Sequence, residues 1–245
     1  RIADKLREFG YKILGTSFDA IDISEDRERF QKLIEKVGLK QPKSDISLGT
    51  KELASKSSKL NFPILLRPSY VLGGRMMEKM NSMDDVQNYI DQNYWALENN
   101  VILIDEFLKE AKEVDVDILR DVNGNTMIAG IMEHIEEAGI HSGDSACCIP
   151  PFSLNEEILN SIKKFSISLS QELETIGLMN VQYAIKDDEI FILEANPRAS
   201  RTIPFLAKAI GIPFIKIAAE LIVGKNLSKE FIEFKPEDLP YFAIK

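Results

Sequence analysis

The residues best able to do chemistry lie in the run Phe191-Ile192-Leu193-Glu194-Ala195-Asn196-Pro197-Arg198-Ala199-Ser200-Arg201. Read as a strand, its side chains alternate faces, so Glu194 and Asn196 project to the same side. Residues 181–185 and 190–195 read as the two arms of a hairpin. Gln182 stands opposite Glu194 if the loop is odd-numbered and centred on Asp188. A two-residue Asp187-Asp188 turn would put that pair out of step by one. A carboxylate and two amide oxygens on one face suit a hard cation such as Mg²⁺ carrying nucleotide phosphates. Arg198 and Arg201 then bring positive charge beside it. A solvated sheet face bearing surface charges has the same spacing, and spacing alone does not separate the two.

A second constellation is Arg67-Pro68-Ser69-Tyr70-Val71-Leu72-Gly73-Gly74-Arg75. The paired glycines let backbone amides approach an anion closely, and Arg67 and Arg75 flank them with charge. The alternative is an ordinary turn with surface arginines. Glu106-Phe107-Leu108 ends a strand, a position where backbone donors and acceptors can meet an adenine. In Glu113-Val114-Asp115-Val116-Asp117 strict alternation places three carboxylates on one face, which a solvated strand explains equally well. The loop Gly139-Ile140-His141-Ser142-Gly143-Asp144-Ser145 is polar and glycine-rich, and His141 could contact phosphate or sugar hydroxyls. There is no GxxxxGK[ST], GxGxxG, HExxH, CxxC or GxSxG pattern. With His134 and His141 as the chain's two histidines, a histidine-based transition-metal site is not expected. Any chemistry runs on carboxylates, arginines and backbone.

The chain that must position these groups has 245 residues, 44% hydrophobic and 28% charged, enough for one large domain or two small ones. Its net charge of −9 argues against a general nucleic-acid or membrane-surface binder. Cys147 and Cys148 are adjacent and offer no disulfide framework, so a reducing cytoplasm fits. No apolar run has the length of a membrane span, and the charged N-terminus is no signal peptide. The chain opens mid-helix without an initiator Met and closes on a strand cut short at 241–245, as an excised piece of a longer protein would.

Helical periodicity and caps predict a helix ending at Gly10, a strand at 11–15, and a helix from an N-cap at Ser24 through Phe30, Leu33, Ile34 and Val37 to Gly38. Further on come a short strand near Ile46, a helix over 50–60, a strand over 63–67 and a helix around 84–94. Strands at 101–105 and 114–122 follow, with an Asn123-Gly124-Asn125 turn into a strand at 127–132. A long amphipathic helix spans 156–174, and two helices close the chain after the 181–195 hairpin. This order predicts an α+β protein with antiparallel or mixed sheets.

Taken in order, several segments resemble an ATP-grasp domain. They are Glu25-Asp26-Arg27-Glu28-Arg29-Phe30, the 66–75 run, Gly130-Ile131-Met132-Glu133-His134-Ile135-Glu136, His141-Ser142-Gly143-Asp144-Ser145-Ala146, Leu178-Met179-Asn180-Val181-Gln182, and Glu194 through Thr202. More narrowly, the chain is similar to the large-subunit family of carbamoyl phosphate synthetase, in its second, C-terminal synthetase half. Arg75 directly after Gly74, and Thr202-Ile203-Pro204-Phe205 after Arg201, resemble that half rather than the first.

The resemblance implies an ATP-grasp fold of two α/β subdomains clasping the nucleotide. Residues 1–23 would be the tail of a preceding domain, 24–245 the ATP-grasp domain, 41–104 a lid, and 105–245 the main nucleotide and metal subdomain. It implies phosphorylation of carbamate by ATP to carbamoyl phosphate, a step of pyrimidine and arginine biosynthesis, with Mg²⁺ or Mn²⁺. Arg27 and Arg67 would contact nucleotide phosphates, joined by Gly73, Gly74 and Arg75. Glu106, Leu108 and Glu113 would surround adenine and ribose, and Gly139, Ile140, His141 and Ser142 would line the cleft. Gln182, Glu194 and Asn196 would hold the metal, while Arg198 and Arg201 would hold carbamate and the transferring phosphoryl group. The implied partners are the rest of the large subunit and a glutaminase small subunit. Another ATP-grasp carboxylate ligase, or a nucleotide-binding regulatory module without turnover, are the alternatives.

Overall fold

A computed structural model describes residues 2–11, 13–68, 76–138 and 145–245. The loop with Gly73, Gly74 and Arg75, and the loop with Gly139, Ile140, His141 and Ser142, lie outside the described residues. The elements begin with α1 (Ile2–Glu8), α2 (Phe18–Glu25), α3 (Arg27–Val37), β1 (Ser44–Leu48), α4 (Leu53–Ser57), β2 (Ile64–Pro68) and β3 (Glu78–Met80). They continue with α5 (Met83–Leu97), β4 (Val101–Glu106), β5 (Lys112–Arg120), β6 (Thr126–Glu137), β7 (Cys147–Ile149), α6 (Glu156–Glu172) and β8 (Gly177–Lys186). The chain ends with β9 (Glu189–Asn196), α7 (Ile203–Ile210), α8 (Phe214–Ile222), α9 (Lys229–Ile232) and β10 (Ala243–Ile244). Two compact units form: Gln41–Ala111, and Arg1–Lys40 together with Lys112–Lys245. Among the described residues no helix is long and apolar enough to cross a membrane.

In the smaller unit four antiparallel strands run in the order β1-β4-β2-β3. Alternation along β2 sends Ile64 and Leu66 to one face, where with Ile102 and Ile104 they meet Val86, Tyr89 and Ile90 of α5. The other face therefore carries Arg67 and Asp105. A capping box opens α5: the Ser82 hydroxyl accepts from Asp85 N, and the Asp85 carboxylate accepts from Ser82 N. The helix expected over 50–60 shrinks to five residues, because Glu52 provides no side-chain cap and the flanking residues turn.

In the larger unit six antiparallel strands run in the order β10-β7-β6-β5-β8-β9. Val114, Val116, Ile118, Val181 and Tyr183 face α3 and α6, which contribute Phe30, Ile34, Ile162 and Leu169 to one core. The opposite face is divided. At one end Leu119, Met127 and Leu178 are covered by Leu206 of α7 and Phe214 and Leu221 of α8. The rest of that face is polar and holds the candidate site. Each buried aliphatic or aromatic side chain contributes roughly 1.5–3 kcal/mol, against about 0–1 kcal/mol for an exposed ion pair such as Lys32–Glu28. Apolar packing is thus what holds the sheets.

Two expectations about the N-terminal segment fail. Among the described residues of 11–15 there is no strand: Tyr11 and Leu14 are exposed, and Gly15 is left-handed. Ser24 is no N-cap either. It sits inside α2, its hydroxyl donating to Ala20 O, while Ser17 caps α2 and Asp26 caps α3 by accepting from Arg29 N. Asp26 offers a carboxylate to the positive end of α3, which Ser24, two residues earlier and inside α2, cannot do.

Candidate functional site

The hairpin β8–β9 closes with a two-residue turn, Asp187 and Asp188, both with positive φ, as a type I′ turn requires. From Lys186↔Glu189 to Tyr183↔Ile192 the ladder is regular, and continued unbroken it would pair Gln182 with Leu193. A bulge between Gln182 and Tyr183 absorbs Leu193 and restores Gln182↔Glu194 and Asn180↔Asn196. The two-residue turn and the Gln182–Glu194 pairing therefore coexist, an arrangement that a count of turn residues does not foresee. Asn196 Nδ2 donates to Glu194 Oε1 (2.7 Å), and Arg198 Nη2 donates to Asn196 Oδ1 (3.1 Å). Glu194 is exposed while Gln182 and Asn196 are half-buried, so this carboxylate opens to solvent.

Beside this row the alternative of a solvated face for Asp115 and Asp117 does not hold. Glu113, Asp115 and Asp117 are all at least 97% buried, with relative exposures of 3%, 1% and 0%. In register, Asp115 stands beside Gln182, and Asp117 beside Asn180. Unpaired buried carboxylates are expensive, and each of these finds partners. Asn180 Nδ2 donates to both Asp115 Oδ1 (3.3 Å) and Asp117 Oδ1 (3.1 Å). His134 Nε2 donates to Asp115 Oδ2 (2.8 Å), and its Nδ1 lies 3.9 Å from Glu113 Oε1. Burial alone would discharge this imidazole. The hydrogen bond to Asp115, the nearby Cys147 and the charges of Glu113 and Asp115 outweigh that, and its pKa is pushed up to about 10. Burial pushes Asp117 up to about 6, against the hydrogen bonds from Thr202, Ser200 and Asn180 that pull it down.

Sequence reasoning missed His134, Asn180 and Thr202 as members of this polar layer. Asn180 was findable, since it lies two residues before Gln182 and shares its face. Asp115, His134 and Cys147 also bring potential ligand atoms within 4.8 Å of one another, all buried. The histidine's Nε2 is already engaged by Asp115.

In the smaller unit Arg67 Nε and Nη2 both donate to Asp105 Oδ2, at 2.9 and 2.6 Å. The pair is half-exposed and aims the guanidinium along its sheet face. Glu106 ends β4 as expected, and its Oε1 accepts from Asn61 N and Nδ2, both at 2.9 Å. Leu108 follows it, half-buried. Arg27, in the larger unit, is the first residue of α3 and half-buried.

The oxygen donors on β8 and β9 fit a hard dication. One exposed carboxylate with two flanking amides supplies no soft ligand and leaves coordination positions for phosphate and water, as Mg²⁺ prefers.

The architecture is the ATP-grasp fold, with mixed helices and antiparallel sheets. Among solved structures, the biotin carboxylase domain of Hydrogenobacter thermophilus 2-oxoglutarate carboxylase, in complex with MgADP, ADP and bicarbonate, matches 99% of this chain and 54% of its own, with TM-score 0.76 and 17% identity. N5-carboxyaminoimidazole ribonucleotide synthetase from Thermotoga maritima matches 93% of this chain and 56% of its own, with TM-score 0.70 and 19% identity. Residues 26–230 match the family model described as the carbamoyl-phosphate synthase L chain, ATP binding domain, and the chain belongs to that family. It is 49% identical over 244 residues to the carbamoyl phosphate synthase large chain of Archaeoglobus fulgidus and 48% identical over 245 residues to that of Myxococcus xanthus. All of this chain is aligned, and it spans 22% of each of those relatives.

Proposed function

We propose that this chain is the carbamate-phosphorylating ATP-grasp domain of a carbamoyl phosphate synthase large chain, the second of its two synthetase halves. The observation that carries the reading is the bulge-corrected row Gln182–Glu194–Asn196, which runs directly into the arginine-bearing segment 198–201. Bound there, Mg²⁺ (or Mn²⁺) would neutralise nucleotide phosphate charge. Arg198 and Arg201 orient an anionic carbamate oxygen for in-line attack on the γ-phosphoryl group and offset the charge that spreads onto it. No covalent intermediate with the protein is needed, so positioning and charge supply the rate.

The remaining assignments follow the same reading. Arg27, Arg67, Gly73, Gly74 and Arg75 take nucleotide phosphate. Glu106, Leu108 and Glu113 take adenine and ribose, and Gly139, Ile140, His141 and Ser142 line the nucleotide's surroundings. Residues 41–104 act as the lid. The rest of the large chain and a glutaminase small subunit complete the cytoplasmic enzyme. The second-half assignment rests on Arg75 after Gly74 and on Thr202-Ile203-Pro204-Phe205.

Identity near one half to carbamoyl phosphate synthases favours this reading over another ATP-grasp carboxylate ligase; the two solved ATP-grasp structures named above are 17% and 19% identical. The paired metal donors count against a regulatory module without turnover. ADP release by the full-length protein, measured with carbamate and with bicarbonate as acceptor, tests the reading. Turnover with neither acceptor contradicts it.

A further inference from the structure

Residues 198–201 carry the two arginines but belong to no helix or strand, so something must hold them in place. Upstream they hang from Asn196 at the end of β9, and downstream they enter α7 at Thr202. Both ends are tied to one buried side chain. Asn180, the ladder partner of Asn196, donates to Asp117 Oδ1 (3.1 Å), and Thr202 Oγ1 donates to Asp117 Oδ2 (2.5 Å). Thr202 Oγ1 and Ser200 Oγ are 2.6 Å apart, and Ile203 N donates to Ser200 Oγ (3.3 Å).

The carboxylate makes this chain directional. An ionised carboxylate only accepts, so the Thr202 hydroxyl proton points at Asp117. The Ser200 hydroxyl lies within reach of both Thr202 Oγ1 and Asp117, and its own lone pairs receive Ile203 N. The relay runs from the first turn of α7 into the sheet and fixes the segment's exit. Stability does not call for it. Ile203 and Leu206 already seat α7 on the apolar half of the sheet, and a buried carboxylate without a cation partner is at best a neutral contributor to folding.

We propose that Asp117 is a positioning residue for the phosphoryl-transfer site: through Thr202 and Ser200 it holds the segment bearing Arg198 and Arg201 in its working geometry. The inference rests on the proposed roles of those arginines. The test uses the full-length protein, with kcat and KM for phosphoryl transfer measured for Asp117→Asn, Thr202→Val, Thr202→Ser and the Asp117→Asn/Thr202→Val double variant. Thr202→Val and Asp117→Asn should each lower kcat about 10–100-fold while KM for nucleotide stays within about threefold, since misplacement rather than lost binding is at issue. Thr202→Ser, which keeps the hydroxyl, should restore wild-type kcat, and the double variant should be no worse than the weaker single one.

Full kcat in a folded Thr202→Val or Asp117→Asn protein overturns the proposal. So do multiplying losses in the double variant, or KM rising in step with the fall in kcat. Should Thr202→Val not fold, the Asp117→Asn and Thr202→Ser pair decides alone. The comparison is made on whichever phosphoryl transfer the wild type performs, so an error in assigning the half would appear in the wild type's own acceptor preference, separately from these ratios.

Discussion

At Glu113, Asp115 and Asp117 a strand pattern that looks solvated is instead sealed inside the protein, and His134 shows why it is tolerated. The hydrogen bond to Asp115 and the charges of Glu113 and Asp115 favour its imidazolium form, which in turn stabilises the carboxylates. The folded pKa of about 10 lies above the ordinary 6.5. The stabilisation is therefore fully present below about pH 6.5 and is lost as the pH climbs towards 10. Urea midpoints recorded across that window should fall in the wild type and stay flatter in His134→Gln, which keeps a donor for Asp115 but cannot titrate. Equal slopes would show that His134 is neutral throughout. A second residue-level expectation concerns Arg67, aimed by Asp105 through two hydrogen bonds. Asp105→Asn removes the charge that aligns the guanidinium. It should raise the KM for ATP about three- to tenfold with little change in kcat, as loss of one charge-assisted contact would.

Among the elements, the β8–β9 hairpin shows what could and could not be read from residue order. Its two arms, the shared face of Glu194 and Asn196, and their run into Arg198 follow from alternation alone. The bulge does not, because Leu193 looks like any other strand residue and the extra position is chosen by packing. Ile192 must reach the core beneath while Glu194 faces out. The burial of Asp115 and Asp117 was hidden for a similar reason. The side chains that cover or satisfy them, Thr202 and Asn180, are 63 or more residues away in sequence. Local rules served well where the interaction was local, as at the Gly38 cap of α3, whose left-handed glycine closes the helix. They failed at Ser24, which lies inside α2 while Asp26 caps α3. The turn gives a stability prediction: Asp187 and Asp188 sit at positive φ, which Asn-Gly adopts more cheaply. The Asp187→Asn/Asp188→Gly variant should stabilise the hairpin by about 0.5–1 kcal/mol, read as a raised melting temperature. A fall would mean these aspartates make contacts the turn geometry does not require.

Over the whole molecule, the two units each carry their own core, so damage to one should stay in it. Gly49 is a sharp probe: its φ is +70°, and a Cβ there would meet Glu98 O at 2.2 Å. Gly49→Ala should cost about 1–3 kcal/mol locally. It should speed amide exchange in β1 and β4 while leaving β5 and β8 protected; equal loss in both sheets would show one cooperative core. The central claim, that this domain phosphorylates carbamate, is tested most directly by Glu194→Gln in the full-length protein. ATP formation from ADP and carbamoyl phosphate is measured alongside bicarbonate-dependent ADP release. The variant should lose ATP formation by about 100-fold or more, as removal of a charge that organises the transferring phosphate would cause, and should keep the bicarbonate reaction. Intact ATP formation with the bicarbonate reaction abolished would contradict the assignment.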